Sequence, residues 1–211
     1  MAEKTAEKEF SPVYRFCRFL GRIVLHTVYP TFVTGREKLK GLKAPYLLLG
    51  NHQHLLDPVC IGCLCPLEVR FLGKKELTGS AFTKWFMGQL HMISIARHES
   101  DLEAMRKATK EIRAGRVMGI FPEGTRHQPQ MMETVESGAA FLALREKIPM
   151  VPVYIHKKFR PFHRNTVRVG DPIMPESYPA GGPSRENAEK LNQLIKDTFY
   201  DLRRQEEEKN K

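Results

Sequence analysis

The strongest constraint on this chain is an alternation. Short apolar runs closed by a glycine or a polar turn are separated by stretches with helical periodicity. "APYLLLG", "EVRFLGK", "HMISIAR", "RVMGIF", "MVPVYI" and "TVRVG" read as strands. Between and after them, "SAFTKWFMGQL", "ESDLEAMRKATKEIRAG", "ETVESGAAFLALREK" and "SRENAEKLNQLIKDTFYDLRRQEEE" read as helices, and another helix is expected to begin near Asp57-Pro58. In the second of these helices Leu102, Met105, Ala108 and Ile112 are expected to face inward, with Gly115 at the C-cap. Such alternation predicts an α/β domain with a mixed, largely parallel sheet flanked by helices. The 211 residues bury one ordinary core, and neither repeats nor a low-complexity linker divide them. The expected organisation is an N-terminal tail and helix over 1–35 and a single domain over 36–211.

The N-terminal helix has its own character. In "PVYRFCRFLGRIVLHTVYPTFV", Arg15, Arg18, Arg22 and His26 recur on one face, while Phe16, Phe19, Leu20, Ile23, Val24 and Thr27 cover the rest. No acidic residue occurs from Ser11 to Arg36. A basic amphipathic helix with aromatic weight suits an anionic membrane interface, here over residues 12–32 with help from Trp85 and Phe86. The net charge of +10 agrees, pointing to nucleic acid, a membrane surface or a phosphorylated substrate. The basic run from Lys147 to Gly170, which contains no acidic residue, fits an anionic surface or a solvated face equally. Charges interrupt every apolar stretch, so no spanning helix is expected, and the start has no apolar core of a secretory signal. Cys17, Cys60, Cys63 and Cys65 are crowded without a second ligand pair, so free thiols in a helix core are expected rather than a disulfide framework or zinc.

Two stretches hold the chemistry. "GNHQHLLDP", Gly50 to Pro58, admits three readings. As a metal site it lacks a third histidine after Asp57, where Pro58 stands. As plain structure, Asp57 is an N-cap followed by Pro at the first helical position. As a proton-transfer pair, Asp57 orients His52 and stabilises its charged form, so that His52 can deprotonate a hydroxyl. With no serine or cysteine attached, that hydroxyl could belong to a substrate. "FPEGTR", Phe121 to Arg126, follows a strand at the sheet end where α/β folds bind ligands. Gly124, Thr125 and Arg126 offer donors for phosphate, and Glu123 could hold the arginine. Arg97, ending "HMISIAR", could share that phosphate.

These stretches, in this order, resemble the signatures of the glycerolipid acyltransferases. Asn51-His52 with Asp57 is similar to their N-H-x4-D motif, "FPEGTR" matches their second signature, and "MISIAR", "SGAAFLALREKIPMVPVYI" and "VRVGDPI" resemble later blocks. Within that group the bacterial 1-acylglycerol-3-phosphate acyltransferase type is most similar. The resemblance spans roughly Tyr46 to Ile173 and implies acyl transfer from acyl-CoA or acyl-carrier protein to the free hydroxyl of lysophosphatidate, giving phosphatidate. It implies His52 as general base and Asp57 as its orienting partner, with Arg97, Glu123, Gly124, Thr125 and Arg126 at the acceptor phosphate. It implies no metal, no cofactor and no nucleic-acid partner. A lipid acceptor implies a peripheral or monotopic protein on the cytoplasmic face of an anionic membrane, held by Arg15, Phe16, Arg18, Phe19, Leu20, Arg22 and Ile23. Ala96 and Ser137 depart from the family pattern, which often has aspartate and lysine there. Alternatives are glycerol-3-phosphate or another lysolipid as acceptor, or a non-catalytic basic membrane-binding module.

Overall fold

"LLLG" is apolar at every position because the strand it forms is covered on both faces. In the computed structural model, which describes residues 11–74, 85, 88–95, 101–125 and 130–209, this strand is β2, Leu47–Gly50, buried throughout. It lies at the centre of a seven-stranded sheet. The others are β1 (Thr31–Thr34), β3 (Val69–Lys74), β4 (Ile93–Ile95), β5 (Val117–Ile120), β6 (Met150–Ile155) and β7 (Asn165–Val169). The strand order is β1-β7-β6-β2-β5-β3-β4. All neighbours are parallel except β6 and β7, where Val153 faces Val169 and Ile155 faces Val167.

The period of two along each strand sorts side chains into two cores. Leu47, Leu49, Met118, Met150 and Tyr154 pack on one face against Ala108 and Ile112 of α3 (Asp101–Arg113), Leu142 of α4 (Gly138–Glu146), and Leu191, Ile195 and Phe199 of α5 (Arg185–Lys209). Leu48, Val117, Val151 and Val153 pack on the other against Leu25 of α1 (Pro12–Thr27) and Ile61 and Leu64 of α2 (Asp57–Leu64). Truncating any one of these buried leucines or isoleucines to alanine would cost about 2–5 kcal/mol. Gly119 in β5 shows how tight the sheet face is, because a Cβ there would sit 2.2 Å from the Phe71 ring.

The α/β class and the mostly parallel sheet agree with the expectation. Several details differ. The stretch expected to continue the first helix to residue 32 turns instead into the edge strand β1, whose Thr31 pairs with Asn165 of β7. Thus the sheet begins inside the segment expected to stand apart. Leu102 is 59% exposed rather than inward, because the first turn of α3 overhangs the core that Ala108 and Ile112 reach. Gly115 has φ +76, and its N–H closes on the Ile112 carbonyl, as expected of a helix stop. Helix α4 starts at Gly138, not Glu133. Most of "SAFTKWFMGQL" lies outside the described residues.

Helix α1 has two faces. Tyr14, Gly21 and Leu25 are buried against α2, and a Cβ on Gly21 would lie 3.0 Å from both Val59 and Cys63. Phe16, Phe19, Leu20 and Ile23 are exposed. The arginines divide as well. Arg15 and Arg22 are exposed, whereas Arg18 turns inward and donates to the carbonyls of Cys65 and Pro66, where the chain leaves α2. A cation there complements the negative end of a helix.

Candidate active site

The site is built at the C-terminal ends of the central strands. Gly50 ends β2 where no side chain fits, since a Cβ would meet Ile61 at 2.5 Å and Phe121 at 3.0 Å. The next residue, Asn51, is wholly buried. Its amide donates to the Ile155 carbonyl at 2.8 Å and accepts the Ile155 N–H at 2.7 Å, extending the β2–β6 pairing one residue past the strand. A buried side-chain amide needs both kinds of partner, and Ile155 supplies them.

His52 follows, held from three sides. Its N–H donates to Glu123 Oε2 at 2.6 Å. Its ring stacks on Phe121 at 4.1 Å between centroids. Its Nδ1 lies 2.9 Å from Asp57 Oδ2. The same oxygen accepts the N–H groups of Gln53 at 2.6 Å and His54 at 2.7 Å. Two backbone N–H groups and the His52 ring thus converge on one buried oxygen. A carboxylate accepts, so this contact is made by the tautomer that carries its proton on Nδ1, which leaves Nε2 with its lone pair. This arrangement corrects the N-cap reading of Asp57. The carboxylate bonds backward to the loop before α2 rather than to the first N–H groups of its own helix, for which Leu56 is the cap residue. Pro58 still opens the helix as expected.

Glu123 stands after β5 and is buried. Both its oxygens take backbone donors, Oε2 from His52 and Oε1 from Met132 at 2.8 Å. These two bonds tie the His52 loop and the segment at Met132 to the turn after β5. Burial pushes its pKa up, while the two N–H groups and His52 pull it down. Gly124, with φ +64, and Thr125 are exposed in the turn that follows. Arg97, Arg126 and Phe86 lie outside the described residues. His54 accepts the Leu56 N–H at 3.2 Å and packs near Tyr29 and Phe159, so it shapes the loop. Cys60, Cys63 and Cys65 are buried, and burial raises all three thiol pKa values, leaving them inert packing groups.

A cavity of about 300 Å³ opens beside His52, whose side chain is 18% exposed. Gln53, Glu123, Tyr154, Lys157 and Arg203 share its wall. Tyr154 and Lys157 come from the end of β6 and Arg203 from α5. Tyr154 lies near the end of the block "SGAAFLALREKIPMVPVYI" and Lys157 lies in the basic run from Lys147 to Gly170, but neither was singled out as a site residue, and no motif pointed to Arg203. Among the described residues no three His, Cys, Asp or Glu side chains converge as a metal site would require.

The chain is similar to known proteins in sequence and, in one solved structure, in fold. The chain is 29% identical over 184 residues to the 1-acyl-sn-glycerol-3-phosphate acyltransferase of Saccharomyces cerevisiae, covering 81% of this chain and 60% of the yeast protein. It is 24% identical over 195 residues to the protein of that name from Bacillus subtilis, covering 88% of this chain and 96% of the relative. The chain therefore spans less than two thirds of the yeast relative and nearly all of the Bacillus one. The crystal structure of the 1-acyl-sn-glycerophosphate (LPA) acyltransferase PlsC from Thermotoga maritima superposes with a TM-score of 0.70 at 20% identity, over 93% of this chain and 79% of that one, and shares its fold. The acyltransferase family model matches residues 30–156, a region that contains the His52–Asp57 loop and the turn from Phe121 to Arg126. This chain belongs to the acyltransferase family.

Proposed function

We propose that this protein is a 1-acylglycerol-3-phosphate O-acyltransferase. It moves a fatty acyl group from a thioester, on CoA or acyl-carrier protein, to the free hydroxyl of lysophosphatidate and so makes phosphatidate. The observation that carries this reading is the His52–Asp57 pair at the mouth of a cavity. Nδ1 is committed to the carboxylate, so Nε2 accepts the proton of the acceptor hydroxyl as its oxygen attacks the thioester carbon. A tetrahedral intermediate forms, the C–S bond breaks, and the imidazolium returns the proton to the departing thiolate. Asp57 stabilises that imidazolium where water is scarce and Coulomb attraction is strong. The substrate hydroxyl takes the part that a serine plays in a hydrolase.

Around this pair, Gly124, Thr125, Arg126 and Arg97 bind the acceptor's phosphate, with Glu123 tying the turn before Gly124 to the His52 and Met132 backbones. The product is a lipid, so the protein works at an anionic membrane surface as a peripheral or monotopic enzyme on its cytoplasmic side. No described helix is long and apolar enough to cross a membrane. The test is an acyl-transfer assay with a panel of lysolipids and glycerol-3-phosphate, with both thioester donors, comparing wild type with His52→Ala. The reading predicts transfer to lysophosphatidate and its loss in the variant. Transfer undiminished in His52→Ala would remove His52 as the base, and a wild type inert toward every acceptor would leave a non-catalytic membrane module.

A further inference from the structure

The connection between β6 and β7 is unusual in what it holds outward. Its sequence, "HKKFRPFHR" from His156 to Arg164, contains four Lys or Arg residues and no acid. Phe159 points inward and packs near Tyr29 and the loop residue His54, at centroid distances of 6.3 and 6.1 Å. Phe162 does the opposite. It is 78% exposed, and its φ of +58 lies in the left-handed region. An aromatic residue there is penalised twice, by backbone sterics and by water, and asparagine or glycine would relieve both.

The loop is nevertheless firmly braced around it. The buried Asn165 accepts the Arg160 N–H at 2.9 Å and donates to the carbonyls of Arg160 and His163 at 3.1 and 2.8 Å. The Phe162 N–H donates to the Val28 carbonyl at 2.6 Å, just past the end of α1. Next to it Arg164 lies over the ring of Phe32, itself exposed, at 4.6 Å. Lys157, Lys158, Arg160 and His163 are exposed around the same turn. Leu55, in the catalytic loop, is also exposed. A rigid turn that presents one phenylalanine within a ring of cations has the chemistry of an anionic lipid interface: an apolar wedge for the acyl boundary and cations for the headgroups.

We infer that the β6–β7 loop is a second membrane contact, in which Phe162 enters the interfacial layer of an anionic phospholipid bilayer and Lys157, Lys158, Arg160 and Arg164 engage its headgroups. The inference rests on the proposed lipid acceptor and adds an orientation to it. A helix alone leaves the protein free to roll about its axis. A second contact, bonded to the end of α1 and packed on the catalytic loop, fixes which side faces the bilayer.

The probe is vesicles of phosphatidylglycerol mixed with phosphatidylcholine, beside phosphatidylcholine alone. In sedimentation, Phe162→Asp in the full chain is expected to lower partitioning to the anionic vesicles by roughly tenfold, with thermal melting recorded to verify the fold. A tryptophan is placed at the tip by Phe162→Trp in a Trp85→Phe background. It is expected to shift to shorter wavelength on adding anionic vesicles and to be quenched by brominated acyl chains. Wild type that binds these vesicles while that tryptophan stays unshifted and unquenched would overturn the second contact and leave the acyltransferase reading intact. Equal quenching with phosphatidylcholine alone would overturn the part assigned to the cations. Failure of acyl transfer in the assay above would sink the enzyme reading, whereas tip quenching decides the membrane contact independently of turnover.

Discussion

The end of β2 and the outer face of α1 invert the usual rule in opposite directions. At the first, Asn51, Asp57 and Glu123 are polar and buried, and neighbours bond to Asn51, to both Glu123 oxygens and to Oδ2 of Asp57. At the second, Phe16, Phe19, Leu20 and Ile23 are apolar and exposed, with Arg15 and Arg22 beside them. Burying polar groups costs stability unless their partners are fixed in advance, and exposing apolar ones gains nothing in water. Neither arrangement serves the fold by itself. A preorganised buried network serves chemistry, and an apolar surface with cations serves a boundary between water and lipid. If that division holds, changes in the first region should act on turnover and stability, and changes in the second should leave both nearly alone.

The largest expected effect is His52→Ala. Removing the base should lower turnover by about 10²–10⁴-fold, measured as acyl transfer at saturating donor, with the circular dichroism preserved because Asp57 Oδ2 still accepts the N–H groups of Gln53 and His54. Asp57→Asn should come close to it. An amide keeps the shape but can present its NH₂ to His52 and lose the charge that stabilises the imidazolium, so a drop of up to about 10⁴-fold is expected. A fall in activity that tracked unfolding in either variant would break the comparison at its polar end.

Much of this contrast is legible in the order of residues, and what is missing has a physical cause. The strands announce themselves because a sheet covered on both faces needs continuous apolar runs. The edge strand β1 is hidden because "TFVT" is short and only partly buried. The pairing of His52 with Asp57 is local, five residues apart, and is visible in the spacing. The partners of Asn51 and of the His52 N–H lie 104 and 71 residues away, so nothing nearby reveals them. Periodicity gives the phase of a helix face, as it did for Ala108 and Ile112. It does not say where the core stops, and so misplaced Leu102. Likewise the spacing of Arg18 put it among the surface cations, while the carbonyls at the end of α2 that draw it inward come from elsewhere in the chain.

Glu123→Gln is the intermediate case. The amide has one oxygen where the carboxylate had two, so one of the two backbone N–H groups loses its acceptor. A stability loss of about 1–3 kcal/mol is expected near neutral pH, read by urea unfolding. Its pH dependence runs in a definite direction. Burial holds the Glu123 pKa above its ordinary 4.5. A carboxyl group with a raised folded pKa binds its proton more tightly folded than unfolded. Its contribution is therefore full below about 4.5 and is lost as pH rises through the folded value. Wild type should lose stability over that interval, and Glu123→Gln should flatten the slope. An unchanged slope would mean that Glu123 is not the group responsible.

The smallest effects come from α1 and separate its two sides. Gly21→Val pushes a branched side chain into the contact with Val59 and Cys63 and should cost about 1–3 kcal/mol. On the outer side, Phe19→Ser removes an aromatic ring that touches water rather than core, and its unfolding free energy should change by no more than about 0.5 kcal/mol. That near-silence carries the argument. If Phe19 were packed against unseen structure, its loss would destabilise the fold as Gly21→Val does. If it belongs to the lipid boundary, the melting curve stays put while partitioning to anionic vesicles falls. Running the two variants side by side in one melt and one sedimentation series therefore asks a single helix which of its faces belongs to the protein and which to the membrane.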